Sequence, residues 1–351
     1  MMWLSDETLV HLRTVADQPD LAGTRYIALE PIGRGGMGTV YRARDTQLER
    51  DVALKVLRAP ELDPGLARRL ADEARILAGL EHPGIVPVHD VGTLPDGRVF
   101  YAMKLVRGMR LDRVAAEDID QNQRLRIFQR ICEAVAFAHA HGVLHRDLKP
   151  GNIMVGAFGE VLVMDWGVAR RTTVGPVAGG HTRTAVPQAP DSAGSHTTGT
   201  VGPGTSGENV NEHGTVQGTR LGTPGWMAPE QEQGRTDRID ARTDVFGLGV
   251  ILRFLLGLYE GAPRPEALAR PPARLRAIAD HAAAPEQSAR YVSVDELAAD
   301  IRRFQDGLPV AAYHEPLHER IGRFITKYRT PILLVISYLI MRILIFAFTR
   351  P

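Results

Sequence analysis

Apolar and polar positions along this 351-residue chain change their period partway through. From Tyr26 to about Pro87, runs rich in β-branched and aromatic residues (TRYIALEPI, TVYRARD, DVALKVL) bracket turn residues, which predicts strands. One helix interrupts them. Asp63-Pro64 supplies a cap and a first helical position, and Leu66, Leu70, Leu77 and Leu80 recur at helical spacing. IVPVHDVG and RVFYAMKLV read as two further strands. After Gly108 the pattern turns helical: NQRLRIFQRICEAVAFAHAHG carries Leu125, Phe128, Cys132, Val135 and Ala136 on one face and closes on Gly142. Further helices are predicted over 243–256, ended by Gly257, and over 294–305. The fold class is therefore α+β. A sheet-rich lobe with one helix spans 26–107, a larger helical lobe spans 108–305, they join near 104–108, and a short extension occupies 1–25.

Two stretches break this pattern. Residues 172–220 contain no Phe, Trp, Tyr, Leu, Ile or Met and are crowded with Gly, Thr, Ser, Pro and Ala. Such a segment buries too little apolar surface to offset its ordering entropy, so disorder is expected there. Residues 331–348, PILLVISYLIMRILIFAF, are apolar apart from Arg342. As a helix they would extend about 27 Å, close to the roughly 30 Å core of a bilayer. The Leu, Ile, Val and Phe residues, at about −0.3 to −0.6 kcal/mol each, outweigh the roughly +3 kcal/mol of one central arginine. Arg320, Arg323, Lys327 and Arg329 make 306–330 a basic approach, which predicts one membrane-spanning helix with the preceding lobes on the cytoplasmic side of the inner membrane. The alternative is a helix buried against the large lobe or in a dimer.

Composition adds mostly exclusions. A formal net charge of +1 makes no case for nucleic-acid binding. The single Cys132 lies in a helical apolar pattern, consistent with a buried inert thiol and a reducing compartment. MMWLSDETLV lacks the basic and apolar regions of a signal peptide, so none is expected.

The candidate chemistry lies in four places. IGRGGMGTV, from Ile32 through Gly33, Arg34, Gly35, Gly36, Met37, Gly38 and Thr39 to Val40, sits between two strand-like runs and can form a hairpin whose backbone closes over phosphates. Glycine-rich hairpins are common, so this signal is weak alone. Lys55 in DVALKVL shares a strand face with Ala53, opposite Val52, Leu54 and Val56; it can meet phosphates or snorkel to water. Glu73 borders the leucine stripe of the first helix, where a carboxylate is costly unless paired, and Lys55 is a suitable partner. HRDLKPGN then places Asp147, able to accept a proton, beside Lys149, able to neutralise a phosphoryl charge, while Asn152 and the later Asp165 offer hard oxygen ligands for Mg²⁺.

These motifs in this order resemble the eukaryotic-type serine/threonine protein kinases, with a bacterial flavour. The resemblance covers about residues 26–305 and includes HPGIV (82–86), DWG (165–167), GTPGWMAPE (222–230), TDVFGLG (243–249) and Arg290. It implies a bilobal kinase fold that transfers the γ-phosphate of ATP to protein Ser/Thr hydroxyls with Mg²⁺. By resemblance, residues 32–40, Ala53, Lys55, Glu73 and Met103 surround ATP. Asp147 is the catalytic base, Lys149 the charge stabiliser, and Asn152 and Asp165 the Mg²⁺ ligands. Glu230 pairs with Arg290, Asp244 braces the catalytic loop, and Thr223 sits beside the acceptor hydroxyl.

Several departures qualify the resemblance. Trp166 stands where the family has Phe, and Trp226 where it has Tyr. The long insert before Thr223 carries the expected phosphorylation sites, Thr219 first and Thr215 behind it, whose phosphates would pair with Arg146; a dimer would allow that reaction between copies. The run after Gly257 is short, as though one helix were missing. The competing reading is a catalytically silent nucleotide-binding scaffold.

Overall fold

The computed structural model describes residues 18–35, 38–57, 64–166, 169–171, 223–260, 270–316 and 329–349. Five antiparallel strands form the first lobe: β1 (Tyr26–Arg34), β2 (Gly38–Asp45), β3 (Arg50–Leu57), β4 (Val88–Thr93) and β5 (Val99–Lys104), in the order β1-β2-β3-β5-β4. Alternation along β3 divides its side chains. Val52, Leu54 and Val56 join Tyr26, Tyr41, Phe100 and Ala102 in a small outer cluster. On the other face, helix α1 (Pro64–Ala78) buries Leu70, Ala74 and Leu77 in the main core, which continues into the second lobe. Leu66 lies on α1, but its side chain is outside the described residues.

In the second lobe a short helix, α2 (Leu111–Val114), precedes α3 (Gln121–Ala140), and both pack into the main core. The Asp120 carboxylate caps α3 by accepting from the Gln123 amide at 2.7 Å. Leu125, Phe128, Ile131, Cys132 and Val135 are fully buried, and Gly142 takes a φ of +72° just past the helix end. The lobe is less purely helical than the sequence predicts. Strands β6 (Gly108–Arg110), β8 (Ile153–Gly156) and β9 (Val161–Val163) form a small sheet, and β7 (Val143–Leu144) pairs with β10 (Arg170–Arg171). These strands are two to four residues long, too short for a period to show in sequence. The remaining helices are α4 (Pro229–Glu232), α5 (Ala241–Leu255), α6 (Ala273–Ala282), α7 (Val294–Gln305) and α8 (Arg329–Thr349). Among the described residues no helix lies between α5 and α6; residues 261–269 are outside them.

The fold runs past the expected boundary at 305. Val310 is buried in the main core, and the Asp300 carboxylate accepts from the amides of Ala311 and Ala312 at 2.9 and 3.1 Å. Residues 306–316 are thus docked, and only 317–328 of the expected basic segment lie outside the description.

Helix α8 covers the apolar tail, and Leu333, Leu334, Val335, Ile336, Tyr338, Leu339, Ile340 and Met341 are 46–67% exposed on it. The alternative reading, burial of this helix against the large lobe, is not met at these positions. Among the described residues, however, no helix is long and apolar enough to cross a membrane. The expected insert at 172–220, with Thr215 and Thr219, also lies outside the described residues.

Candidate active site

Strand register builds the upper half of the site. Lys55 pairs with Val40 on one side and Tyr101 on the other, and Ala53 pairs with Met103, so all five share the face opposite the outer cluster. Lys55 Nζ donates to both oxygens of Glu73 at 2.9 Å and to Asp165 Oδ1 at 3.1 Å. The Tyr101 hydroxyl donates to Glu73 Oε1 at 2.9 Å. Burial alone would lower the Lys55 ammonium, but Tyr101, Glu73 and Asp165 together raise it, so it stays charged. The Glu73 carboxyl stands above its ordinary value: burial pushes it up, and Lys55 and Tyr101 offset only part of that rise.

The glycine-rich hairpin is closed by the Gly35 amide donating to the Gly38 carbonyl at 2.9 Å. Gly38 is sterically required, because a Cβ there would come within 2.3 Å of the Val56 carbonyl oxygen. Gly33 and Gly35 have room for a Cβ in the hairpin itself. Ile32 is exposed at its rim. Arg34 and Thr39 pair with each other, and Thr39 registers with Val56; the pleat therefore turns both side chains away from the Lys55 face. Gly36 and Met37 lie outside the described residues.

Asp165 sits at the end of the link after β9 with a φ of +58°, and Arg146 at +68°; for non-glycine residues this left-handed backbone costs on the order of 1–3 kcal/mol. What holds Asp165 is visible below it. The Trp166 ring is buried 4.5 Å from the His145 ring, and its Nε1–H donates to the Val163 carbonyl at 3.3 Å. Burial would raise the Asp165 carboxyl, but Lys55, His145 and Lys149 hold it below the usual carboxylate range.

Asp147 gathers the lower half. Its Oδ2 accepts from Lys149 Nζ at 2.7 Å and from Asn152 Nδ2 at 3.1 Å. Its Oδ1 accepts from the amide and hydroxyl of Thr223, both at 3.1 Å, and Lys149 Nζ also meets the Thr223 hydroxyl. The segments that carry the two acids are tied together: the Met164 amide, next to Asp165, donates to the Asn152 carbonyl at 2.8 Å, and His145 Nε2 donates to the Met164 carbonyl at 3.0 Å. The Asp147 amide donates to His145 Nδ1, which assigns the ring proton to Nε2.

Asp244, fully buried on α5, fixes the loop by accepting from the His145 and Arg146 amides, each at 2.8 Å, and from His139 Nε2 at 2.7 Å. Burial would raise its carboxyl, and His139 and the loop amides bring it below the ordinary value. Gln231 adds a bond to the Arg146 carbonyl at 2.7 Å. Farther out, the Arg290 guanidinium donates to Glu230 in a two-pronged pair at 2.8 and 2.9 Å. Trp226 stacks on Tyr259 at 4.6 Å. A separate hollow lined by Pro19, Leu21, Gly23 and Tyr26 contains none of these groups.

The sequence-predicted pairs Lys55–Glu73 and Glu230–Arg290 are therefore in contact, as are Asp147, Lys149, Asn152 and Thr223. Sequence reasoning missed Tyr101, His139 and Gln231. Tyr101 was recoverable from β-pleat alternation once β5 is paired with β3; His139 was not, because its partner is 105 positions away.

Residues 26–191 match the protein kinase domain family. The chain is 31% identical over 317 residues to serine/threonine-protein kinase PknD of Protochlamydia amoebophila, covering 80% of this chain and 30% of the relative. It is 33% identical over 316 residues to serine/threonine-protein kinase PknB of Mycolicibacterium smegmatis, covering 82% of this chain and 44% of the relative. The chain thus spans less than half the length of either. The Mycobacterium tuberculosis PknI kinase domain superposes with a TM-score of 0.54 at 23% identity, over 80% of this chain and 96% of that one, a likeness of fold. With this bilobal fold and with relatives of that name, the chain belongs to the eukaryotic-type serine/threonine protein kinase family.

Proposed function

We propose that residues 26–316 act as a serine/threonine protein kinase, moving the γ-phosphate of ATP to protein hydroxyls. The observation that carries this reading is the Asp147 carboxylate held by Lys149, Asn152 and Thr223, on a segment tied through Met164 to that of the Lys55–Glu73–Asp165 cluster. Lys55 would hold phosphate oxygens, and Val40, Ala53 and Met103 would flank the base. Asp147 would take the proton of the acceptor hydroxyl as its oxygen bonds to the γ-phosphorus; the bond from that phosphorus to the bridging oxygen breaks and ADP leaves. Lys149 would offset the charge on the phosphoryl oxygens in flight.

The donor set fits Mg²⁺. Asn152 uses its amide nitrogen on Asp147, leaving its oxygen as an acceptor, and the Asp165 side chain is 49% exposed with only Oδ1 engaged by Lys55. Among the described residues no group of three or more His, Cys, Asp or Glu is placed to hold a metal. Two protein oxygens completed by phosphates and water is the arrangement Mg²⁺ favours. When bound there, it supplies positive charge to the phosphate oxygens.

The rival reading, a silent scaffold, would not need Lys55, Glu73, Asp147, Asn152 and Asp165 all in contact geometry. Labelled ATP with Mg²⁺ separates the two. Wild type is expected to transfer label to itself or to an added protein, with Thr219 and Thr215 carrying phosphate by mass spectrometry, while Lys55→Met transfers at least a hundredfold less. Equal labelling of both proteins would remove the enzyme reading.

We also propose that α8 anchors the kinase to the cytoplasmic face of the inner membrane. The exposed apolar side chains on α8 and the basic residues before it support this. The full chain is expected to sediment with membranes and a chain ending at 325 to remain in the supernatant; the same distribution for both would rule out the anchor.

A further inference from the structure

The Lys55–Glu73 pair has a third member that the family resemblance did not supply. Tyr101 is 2% exposed, stands opposite Lys55 on the central strand pair, and donates its hydroxyl to Glu73 Oε1 at 2.9 Å. Lys55 Nζ lies 5.7 Å from the centre of its ring. The Glu73 side chain is 0% exposed, so no water can satisfy an oxygen that loses its partner.

Consider what each donor can do when nucleotide enters. Lys55 Nζ is shared between Glu73 and Asp165, sits on a flexible stem, and would also have to reach phosphate oxygens. The Tyr101 hydroxyl is different: a ring with two torsions, packed in the core and mounted on β5 with neighbours on both sides. It cannot follow the phosphates. A buried carboxylate relying on the lysine alone would lose both of its bonds whenever that ammonium moved, and α1 would gain a reason to swing away from the sheet.

We propose that Tyr101 is a positioning residue: its hydroxyl ties Glu73, and through it α1, to the central strand, so that Glu73 keeps orienting Lys55 while Lys55 engages the nucleotide phosphates. The inference rests on the kinase reading above. It predicts a lock built from two side chains of the first lobe, independent of any phosphate on the insert.

Tyr101→Phe in the full chain removes one oxygen and leaves the ring. The KM for ATP is expected to rise about tenfold, the worth of one buried hydrogen bond to a charged group. The KM for the protein acceptor should stay within about twofold, while the melting midpoint falls by roughly 3–6 °C, the cost of one lost buried hydrogen bond. An unchanged KM for ATP would overturn the proposal, as would a fall in kcat or melting midpoint without a change in that KM, the mark of a packing role only. If wild type transfers no phosphate, the kinase reading fails instead. Equilibrium binding of ATP with Mg²⁺ then still decides the role of Tyr101: about tenfold weaker binding by Tyr101→Phe upholds it, and equal affinity overturns it.

Discussion

Asp147→Asn is expected to lower kcat by about 10²- to 10⁴-fold, the range for loss of a positioned general base, while ATP affinity stays within about threefold. The geometry explains both halves. Every contact that Asp147 makes through its carboxylate is as an acceptor, from Lys149 Nζ and Asn152 Nδ2 on one oxygen and from Thr223 on the other. Asparagine has the same shape but presents an NH₂ on one side, so it meets at least one existing donor with another donor and cannot take a proton from an attacking hydroxyl. Lys55, the group proposed for phosphate, is bonded to Glu73 and Asp165 and not to Asp147, so nucleotide affinity should survive. Initial rates at saturating ATP, beside equilibrium ATP binding, measure the two separately. A variant retaining a third of the wild-type kcat would exclude Asp147 as the base.

Arg290→Ala is expected to destabilise the protein by about 3–5 kcal/mol, the cost of stranding one partner of a buried ion pair. For a domain of this size that is a fall of roughly 10 °C in melting midpoint. Arg290 and Glu230 are both buried. The guanidinium also donates to the carbonyls of Ala284, Pro285 and Arg242 and lies 4.8 Å over the Phe246 ring, so its removal orphans more than a charge. Glu230 keeps a bond from the Thr243 hydroxyl at 2.9 Å, too little to satisfy a carboxylate out of water. Glu230→Gln combined with Arg290→Met should recover part of the loss, because an uncharged pair has no stranded ion.

The pH dependence follows with a definite sign. Burial would raise the Glu230 carboxyl, but Arg290 and Thr243 hold it below the ordinary carboxylate range in the folded protein. The pair's contribution is therefore complete above the unfolded carboxylate pKa and fades as pH falls through the lower folded value. Thermal melts from pH 7 down to acid should show the gap between wild type and Arg290→Ala closing at the acid end. A gap that stays constant or widens would contradict the assignment.

The particular residues show where sequence reading stops. Lys55 and Glu73 were recognisable as partners because each sits in a periodic element whose buried face is plain, and a buried carboxylate demands a cation. HRDLKPGN was legible because its chemistry lies within eight positions. The two-residue strands flanking that loop, Val143–Leu144 and Arg170–Arg171, have no period to detect. The docking of 306–316 depends on Asp300 accepting backbone amides 11 and 12 positions away, and nothing in AAY announces it.

Sequence alone determined which of the longer stretches are strand and helix, the family, and the pairing of Lys55 with Glu73 and of Arg290 with Glu230. These follow from periodicity, from chemistry that is local along the chain and, for the second pair, from the family resemblance. Only the tertiary structure decided who meets whom across long separations: Tyr101 with Glu73, His139 with Asp244, and Trp166 beneath a left-handed Asp165. Such contacts are set by the register of paired strands and the packing of one lobe's core on the other, and neither leaves a trace in the spacing of neighbouring residues.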